Sequence, residues 1–464
     1  MKRHSKNFLA IIGSDIVRRA LGFLTIAFLA RKVGVAGFGV INIGYTVLSY
    51  ALVVSSAGLG SYGLRAIARG ESSALVNTII TIRLISSFGA FILVSIAALI
   101  FISNDTISIM MILFCITLFP QAFFIDWYYQ GKEQMGIIGV CRMLSAIIYL
   151  LLIIGFVRSP VDLMWVAGAA IVGEITASSM MWIYYRRKSG GSRLMFSLFG
   201  WRSLMEQSLP LGGGSILSTI SINLPMLVIG IVLTNSDVGI FSAANKLVFF
   251  LLMLDRVFAA LLIPASARLH NQSPELLSTT LKLALKWILI TTLPICVGGT
   301  ILADKIVLTV FGMQYISAID IFRILIWFFF FTMVHTIYVS GLLAIGQEKA
   351  YASVMIISVV IYGVSTSICT KIFGVAGTAA AMIVSEAATL IFMRRRLQRS
   401  ISISLPEPIV QIIISVVVMG VVVGMLPSMN VFLSILFGAL IYSVLLFTTK
   451  AITTNEVINL LKRF

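Results

Sequence analysis

Residues 77–102 read NTIITIRLISSFGAFILVSIAALIFI and residues 107–129 read ISIMMILFCITLFPQAFFIDWYY, with SNDT (103–106) between them. About 20 consecutive apolar residues suffice for a helix to cross a bilayer, so each run is long enough to span and the polar tetrapeptide is enough to turn the chain at the surface. Runs of this kind recur throughout, at 7–30, 36–60, 77–102, 106–129, 137–157, 162–185, 208–233, 238–263, 281–302, 319–345, 350–371, 375–395, 408–426 and 431–449. They predict an all-α polytopic membrane protein of about 14 transmembrane helices. Of the 464 residues, 59% are apolar and 11% charged, against about 45–50% and about 25% in soluble domains. A water-soluble enzyme is excluded. The longest hydrophilic stretch, 186–206, is too short to fold as a domain of its own.

The formal net charge of +17 would suggest nucleic acid as the partner of a soluble protein, but in a membrane chain it is read by position. Assigning successive loops to alternate sides puts 22 Lys and Arg on the side of the N-terminus and 5 on the other. Basic loops stay in the cytoplasm, so both termini are expected there and nucleic acid is not a partner. The loops SNDT, TNSD (234–237) and PSMN (427–430) on the opposite side are short. The N-terminus, MKRHSKNFLAIIG, begins like a signal peptide, yet Asp15, Arg18 and Arg19 break the apolar stretch and no small-residue cleavage site follows, which predicts an uncleaved first span. Cys115, Cys141, Cys296 and Cys369 lie within or at the ends of apolar runs without CxxC spacing. They read as small hydrophobes, with neither a disulfide framework nor a metal site indicated.

An internal repeat is visible. Gly39-Val-Ile-Asn-Ile-Gly at span 2 resembles Gly239-Ile-Phe-Ser-Ala-Ala at span 8; Gly131-Lys132-Glu133 after span 4 resembles Gly346-Gln347-Glu348 after span 10; Ile171-Val172-Gly173-Glu174 in span 6 resembles Ile383-Val384-Ser385-Glu386 in span 12. Three matches in the same order, six spans apart, predict two pseudo-symmetric six-helix lobes and a C-terminal helix pair. The expected domains are 1–185 (spans 1–6), a basic cytoplasmic linker 186–207, 208–395 (spans 7–12), and 396–464 (spans 13–14 and the tail). Parallel repeats of this kind are one of the two repeat styles of secondary transporters.

Charged side chains at bilayer depth are expensive, so each is a functional hypothesis. Span 1 carries Asp15, Arg18 and Arg19; span 8 carries Lys246, Asp255 and Arg256. One carboxylate cannot neutralise two guanidiniums in span 1, and the two span-8 cations are ~80° apart around a helix turning 100° per residue. Spans 1 and 8 come from different lobes, and Arg18, Arg19, Lys246 and Arg256 are expected to line a cationic cavity that holds an anion; the alternative is a set of structural ion pairs. Glu174 and Glu386, related by the repeat, and Asp15 are candidates for ion coupling, with a neutral glutamate making an interhelical hydrogen bond as the alternative. Asp126, beside Trp127, Tyr128 and Tyr129, reads as part of the interfacial belt. His335 reads as a core histidine, and Arg323 as a snorkelling cation.

Catalytic constellations are missing from the sequence: there is no phosphate-binding loop and no paired His with metal spacing. The protein is therefore expected not to be an enzyme and to need no cofactor. Active transport would have to draw on a proton or sodium gradient, or on the substrate's own.

The run Ala30-Arg31-Lys32-Val33-Gly34-Val35-Ala36-Gly37-Phe38-Gly39 resembles the junction between the first two helices of polysaccharide exporters of the MOP superfamily, and Gly58-Leu59-Gly60 with Arg65-Ala66-Ile67-Ala68-Arg69 resembles the loop that follows. Asp126-Trp127-Tyr128-Tyr129-Gln130-Gly131-Lys132-Glu133-Gln134-Met135 is similar to the motif at the same place in Wzx-type O-antigen flippases, as is Val238-Gly239-Ile240-Phe241-Ser242-Ala243-Ala244-Asn245-Lys246 at span 8. The resemblance marks Asp126, Trp127, Gln130, Gly131 and Glu133 as family-motif residues. It implies translocation of an undecaprenyl-diphosphate-linked oligosaccharide repeat unit across a bacterial inner membrane, with membrane lipids and an O-antigen polymerase as neighbours. A diphosphate needs Arg or Lys, which the residues supply independently. The signature of lipid II flippases is not evident, which turns the expectation away from peptidoglycan precursors. The competing class is a MATE-like cation or drug antiporter, which would call for an acidic cavity.

Overall fold

The computed structural model describes residues 2–70, 74–188, 198, 200–270, 273–426, 429–453 and 456; the side chains of residues 2–17, 19 and 74 lie outside the description. The helices are α1 (Lys2–Ser56), α2 (Leu59–Ala68), α3 (Ala74–Phe101), α4 (Asp105–Cys115), α5 (Leu118–Ala122), α6 (Asp126–Gly131), α7 (Met135–Phe156), α8 (Leu163–Lys188), α9 (Trp201–Val232), α10 (Asn235–Leu251), α11 (Met253–His270), α12 (Pro274–Ile301), α13 (Ala303–Phe311), α14 (Ala318–Ala344), α15 (Glu348–Leu397), α16 (Ile409–Gly424) and α17 (Val431–Thr448). No strand occurs among the described residues.

Among the described residues, eleven of the helical stretches are long and apolar enough to cross a membrane. Two contain two crossings each: α1 is broken at Gly34 (φ 74°) and α15 at Gly374 (φ 60°), conformations that glycine reaches without a Cβ penalty. The shorter apolar α16 completes fourteen crossings, which follow the hydrophobic runs of the sequence one for one. Lipid-facing helices must close their own backbone hydrogen bonds, and the polar tetrapeptides do this at the turns. Asn104 accepts from Ile107 N at 3.2 Å, and Asn430 from Phe432 N at 3.1 Å. Thr234 and Asp237 cap reciprocally: Asp237 accepts from Thr234 N (3.0 Å), and Thr234 Oγ1 accepts from Asp237 N (3.3 Å).

The turns after α6 and α14, which the sequence match pairs, share one backbone form, with one shift. After α6 the chain leaves the helix through Glu133 (φ 56°), with Gln134 N donating to Tyr129 O (2.8 Å) and Glu133 N to Gln130 O (3.0 Å). After α14 it does the same through Gly346 (φ 71°), with Gln347 N to Leu342 O (2.9 Å) and Gly346 N to Leu343 O (3.2 Å). Both are Schellman endings. Their equivalence pairs Glu133 with Gly346, two residues away from the sequence match of Gly131 with Gly346, because left-handed backbone rather than glycine identity marks the corresponding position.

The chain forms two compact units, Met1–Ser242 and Ala243–Phe464. In the first, α1 packs on α7, α4, α9 and α3, and α7 packs on α8. The helix α9 joins this unit through very close backbone contact: a side chain on Gly58 would collide with Ser208, and one on Gly212 would reach Gly58 N at 2.8 Å. At the other end of the second crossing of α1, a side chain on Gly39 would strike the Asn235 carbonyl, and one on Gly239 that of Val35. In the second unit, α14 packs on α15, α12 and α11, and α16 joins α12 to α17.

Candidate functional site

The first unit gathers its deep charges around a broken helix. Span 4 is divided into α4, α5 and α6, with Pro120 inside α5 unable to donate a backbone hydrogen bond. Carbonyls freed by such breaks need partners at membrane depth. Thr117 Oγ1 donates to Phe114 O at 2.6 Å, and Arg83 of α3 donates to Phe124 O at 3.0 Å. Arg142 of α7 lies over the Phe124 ring, 4.2 Å from its centroid, and pairs with Asp126 at 3.5 Å. Asp126 also accepts from Trp127 N at 2.9 Å. It is thus an ion-paired residue at the start of α6, where the sequence suggested only an interfacial belt. Arg83 and Arg142 escape the sequence reading, although each is a charge inside an apolar run and carries the same signal as the others.

The family-motif residues form a packed corner. Trp127 is buried against Gly63, where a side chain would overlap its ring, and a side chain on Gly131 would reach Ile67 at 2.9 Å. Tyr129 donates to Met181 O at 2.8 Å, tying α6 to α8. Gln130 is half-buried and Glu133 is exposed at the turn into α7. Glu174 of α8 sits in the electrostatic field of Arg142 and Asp126, with Tyr45 nearby; Tyr45 in turn donates to Tyr149 at 3.1 Å. The glutamate is therefore one member of a mixed-charge group. Arg18 of α1 is half-buried. The side chains of Asp15 and Arg19 lie outside the described residues.

The second unit is built differently. Lys246 is the twelfth residue of α10, about 18 Å along it at 1.5 Å per residue, hence deep in a core about 30 Å thick. It is half-buried, and among the described residues no ion pair or hydrogen bond involves it. Arg256, on α11, is exposed. Asp255, its neighbour, accepts a hydrogen bond from Thr336 of α14 at 2.6 Å. His335 is not an isolated core histidine: its Nδ1 lies 3.0 Å from Glu386 Oε1 on α15. Arg323 pairs with Asp320 one turn away, at 2.8 Å. The helices holding these residues are apolar on most sides, so no sequence pattern announces which face turns inward.

Three other lysines of the unit are engaged. Lys286 of α12 bonds both carboxylate oxygens of Glu456, at 2.8 and 2.9 Å, and Lys282 reaches Glu407 at 3.4 Å. Lys305 of α13 donates to the carbonyls of Leu426 and Met429 at 3.3 and 2.9 Å. Lys246 stands apart from all three.

Comparison with known proteins places this arrangement. Among solved structures, the chain is similar to the lipid II flippase MurJ in an inward closed conformation, with a TM-score of 0.78 and 14% identity over 94% of this chain and 98% of that one. It is also similar to an inward-facing multidrug resistance MATE transporter of the MOP superfamily (TM-score 0.66, 16% identity, 82% of this chain and 95% of that one). A third match is a MOP superfamily transporter from Pyrococcus furiosus, described as having a binding pocket of reversed polarity (TM-score 0.54, 16% identity, 84% and 94%). At such identities the likeness establishes the fold. No curated protein matches the chain. The family model for polysaccharide biosynthesis proteins matches residues 5–270, more than half of the sequence and including the Asp126–Glu133 motif and Lys246. The chain is a multi-pass membrane protein of the MOP fold and belongs to the polysaccharide biosynthesis protein family.

Proposed function

We propose that the protein is a flippase that moves undecaprenyl-diphosphate-linked oligosaccharide repeat units, of the O-antigen class, from the inner to the outer leaflet of a bacterial inner membrane by alternating access. The observation that carries this reading is Lys246, a cation deep in the bilayer with no counter-ion of its own among the described residues. An unmatched intramembrane charge is costly unless water or a ligand answers it, and a diphosphate supplies the missing negative charge. Arg256 would engage the same anion from the next helix. The glycan would occupy water while the isoprenoid tail stays in lipid. The first unit's own carboxylates, Asp126 and Glu174, lie in the field of Arg142, which argues against an acidic, cation-binding site of the MATE kind there.

The test is complementation of an O-antigen-bearing host whose own flippase is deleted. Wild type should clear lipid-linked repeat units from the cytoplasmic face and restore surface glycan, and Lys246→Ala should not. Continued accumulation with well-inserted wild type would remove the proposal. The orientation has its own check: cysteines replacing Asn104, Asn235 or Asn430 should react with an impermeant thiol reagent in intact spheroplasts, and one replacing Ser400 should not, both termini being cytoplasmic.

A further inference from the structure

The sequence match of Gly39 with Gly239 has a reciprocal counterpart in the structure. A side chain on Gly39 would strike the carbonyl of Asn235, four residues before Gly239, and one on Gly239 would strike that of Val35, four residues before Gly39. Counted from these two glycines, Tyr45 and Thr46 on the second crossing of α1 stand where Asn245 and Lys246 stand on α10. The first pair is satisfied: Tyr45 donates to Tyr149 at 3.1 Å, and Thr46 donates to the Met226 sulfur at 3.5 Å. The second pair is not. Asn245 is only 4% exposed, and its Oδ1 is buried with no hydrogen-bond partner. Lys246, next to it, has no partner among the described residues either.

A buried amide oxygen left unpaired is uncommon and calls for an explanation. Other asparagines of the protein turn their amides onto their own helix, Asn42 donating to Phe38 O at 2.8 Å and Asn223 to Thr219 O at 3.0 Å. Among the described residues Asn245 makes no such bond. The helix architecture closes the two positions with partnered side chains on α1, so the open pair on α10 is a choice of residues and not a demand of the fold.

What would satisfy the pair follows from its chemistry. A lysine ammonium brings three donors and no acceptor, whereas an amide carbonyl is an acceptor. The two residues are separated by 1.5 Å along the helix and 100° around it, an angle that a flexible four-carbon stem covers. Together they call for a ligand that carries an anion and, beside it, a hydrogen-bond donor. A diphosphate alone answers the ammonium and leaves the carbonyl unpaired. In a glycosyl diphosphate the donor nearest the anion is the substituent on C2 of the sugar, a hydroxyl or an acylamino N–H, on the carbon next to the one that bears the phosphate.

We propose that Asn245 is a specificity-determining residue of the anion site, accepting a hydrogen bond from the C2 hydroxyl or amide of the first sugar while Lys246 holds the diphosphate to which that sugar is joined. This deepens the flippase reading and rests on it. The pair thereby distinguishes a glycan-loaded carrier from bare undecaprenyl diphosphate, which offers the anion without the sugar donor.

The test is binding to full-length protein in lipid nanodiscs, with three probes: undecaprenyl diphosphate, an undecaprenyl-diphosphate monosaccharide, and the 2-deoxy analogue of that monosaccharide. Wild type should bind the 2-deoxy analogue about three- to tenfold more weakly than the intact monosaccharide, the loss of one hydrogen bond. Asn245→Leu should show the same loss for the intact monosaccharide, bind undecaprenyl diphosphate as wild type does, and no longer distinguish the two sugars. Lys246→Ala should weaken all three. Wild type indifferent to the C2 substituent overturns the proposal, and that arm needs no substitution should Asn245→Leu fold poorly. Asn245→Leu that weakens all three lipids alike marks a packing residue and overturns it as well. Wild type that binds none of the three overturns the flippase reading and the role of Asn245 with it, whereas a loss confined to Lys246→Ala keeps that reading and removes Asn245 alone.

Discussion

The two units treat charge in opposite ways. In Met1–Ser242, Arg83 closes a broken helix at Phe124, and Arg142 pairs with Asp126 within the field of Glu174. In Ala243–Phe464, Lys246 has no such answer among the described residues, whereas His335 and Glu386 meet at 3.0 Å. An intramembrane charge is thus structural where the protein neutralises it and available for transport where it does not. Sequence position alone does not separate the two cases.

The largest effect should come from crossing that division. Lys246→Ala is expected to reduce glycan export at least tenfold with near-normal protein levels, and Lys246→Arg to keep most of it, because the site needs a cation more than a particular geometry. If Arg142→Ala, at a paired charge, abolished export as completely without lowering protein level, the comparison would fail. Next comes Arg83→Ala, which leaves the Phe124 carbonyl unsatisfied at a cost of about 1–3 kcal/mol; a lower melting temperature with residual export per folded molecule is expected, read by thermal unfolding in detergent. Gly239→Leu, which would strike the Val35 backbone, should likewise lower yield by overpacking, about 1–3 kcal/mol.

The smallest effect belongs to a paired lysine of the second unit. Burial works to raise the Glu456 carboxyl, but its bonds from Lys286 and Thr453 win and hold it below the ordinary glutamate range. A group depressed in the folded state contributes stability that is present above its unfolded pKa and lost as pH falls through the folded one. Tail docking should therefore weaken only in acid, below about pH 4.3, and by less than about 1 kcal/mol because the Glu456 side of the pair is open to solvent. Trypsin cleavage at Lys450 should rise modestly in Glu456→Gln while export stays unchanged.

The crossings were legible because length and hydropathy fix them, and the short loops because SNDT, TNSD and PSMN are polar islands between apolar runs; in the structure Asn104, Thr234 and Asn430 prove to be helix caps. Gly34 and Gly374 sit where the runs change direction. The side-chain pairings were not legible. His335 and Glu386 are 51 positions apart, on helices so uniformly apolar that no periodic stripe fixes their rotation. The same holds for Arg83, whose partner is a carbonyl freed by a helix break that the continuous run 106–129 conceals. Charge could be seen from the residues, whereas its neutralisation depended on contacts between helices.

The most direct measurement is leaflet transfer in proteoliposomes. A fluorescent undecaprenyl-diphosphate-linked oligosaccharide is added to one leaflet, and its loss from reach of an impermeant quencher is followed for wild type, Lys246→Arg and Lys246→Ala. Transfer should be fast for wild type, largely kept by Lys246→Arg, and fall to the rate of protein-free vesicles for Lys246→Ala. Wild type no faster than empty vesicles, or Lys246→Ala equal to wild type, would contradict the account.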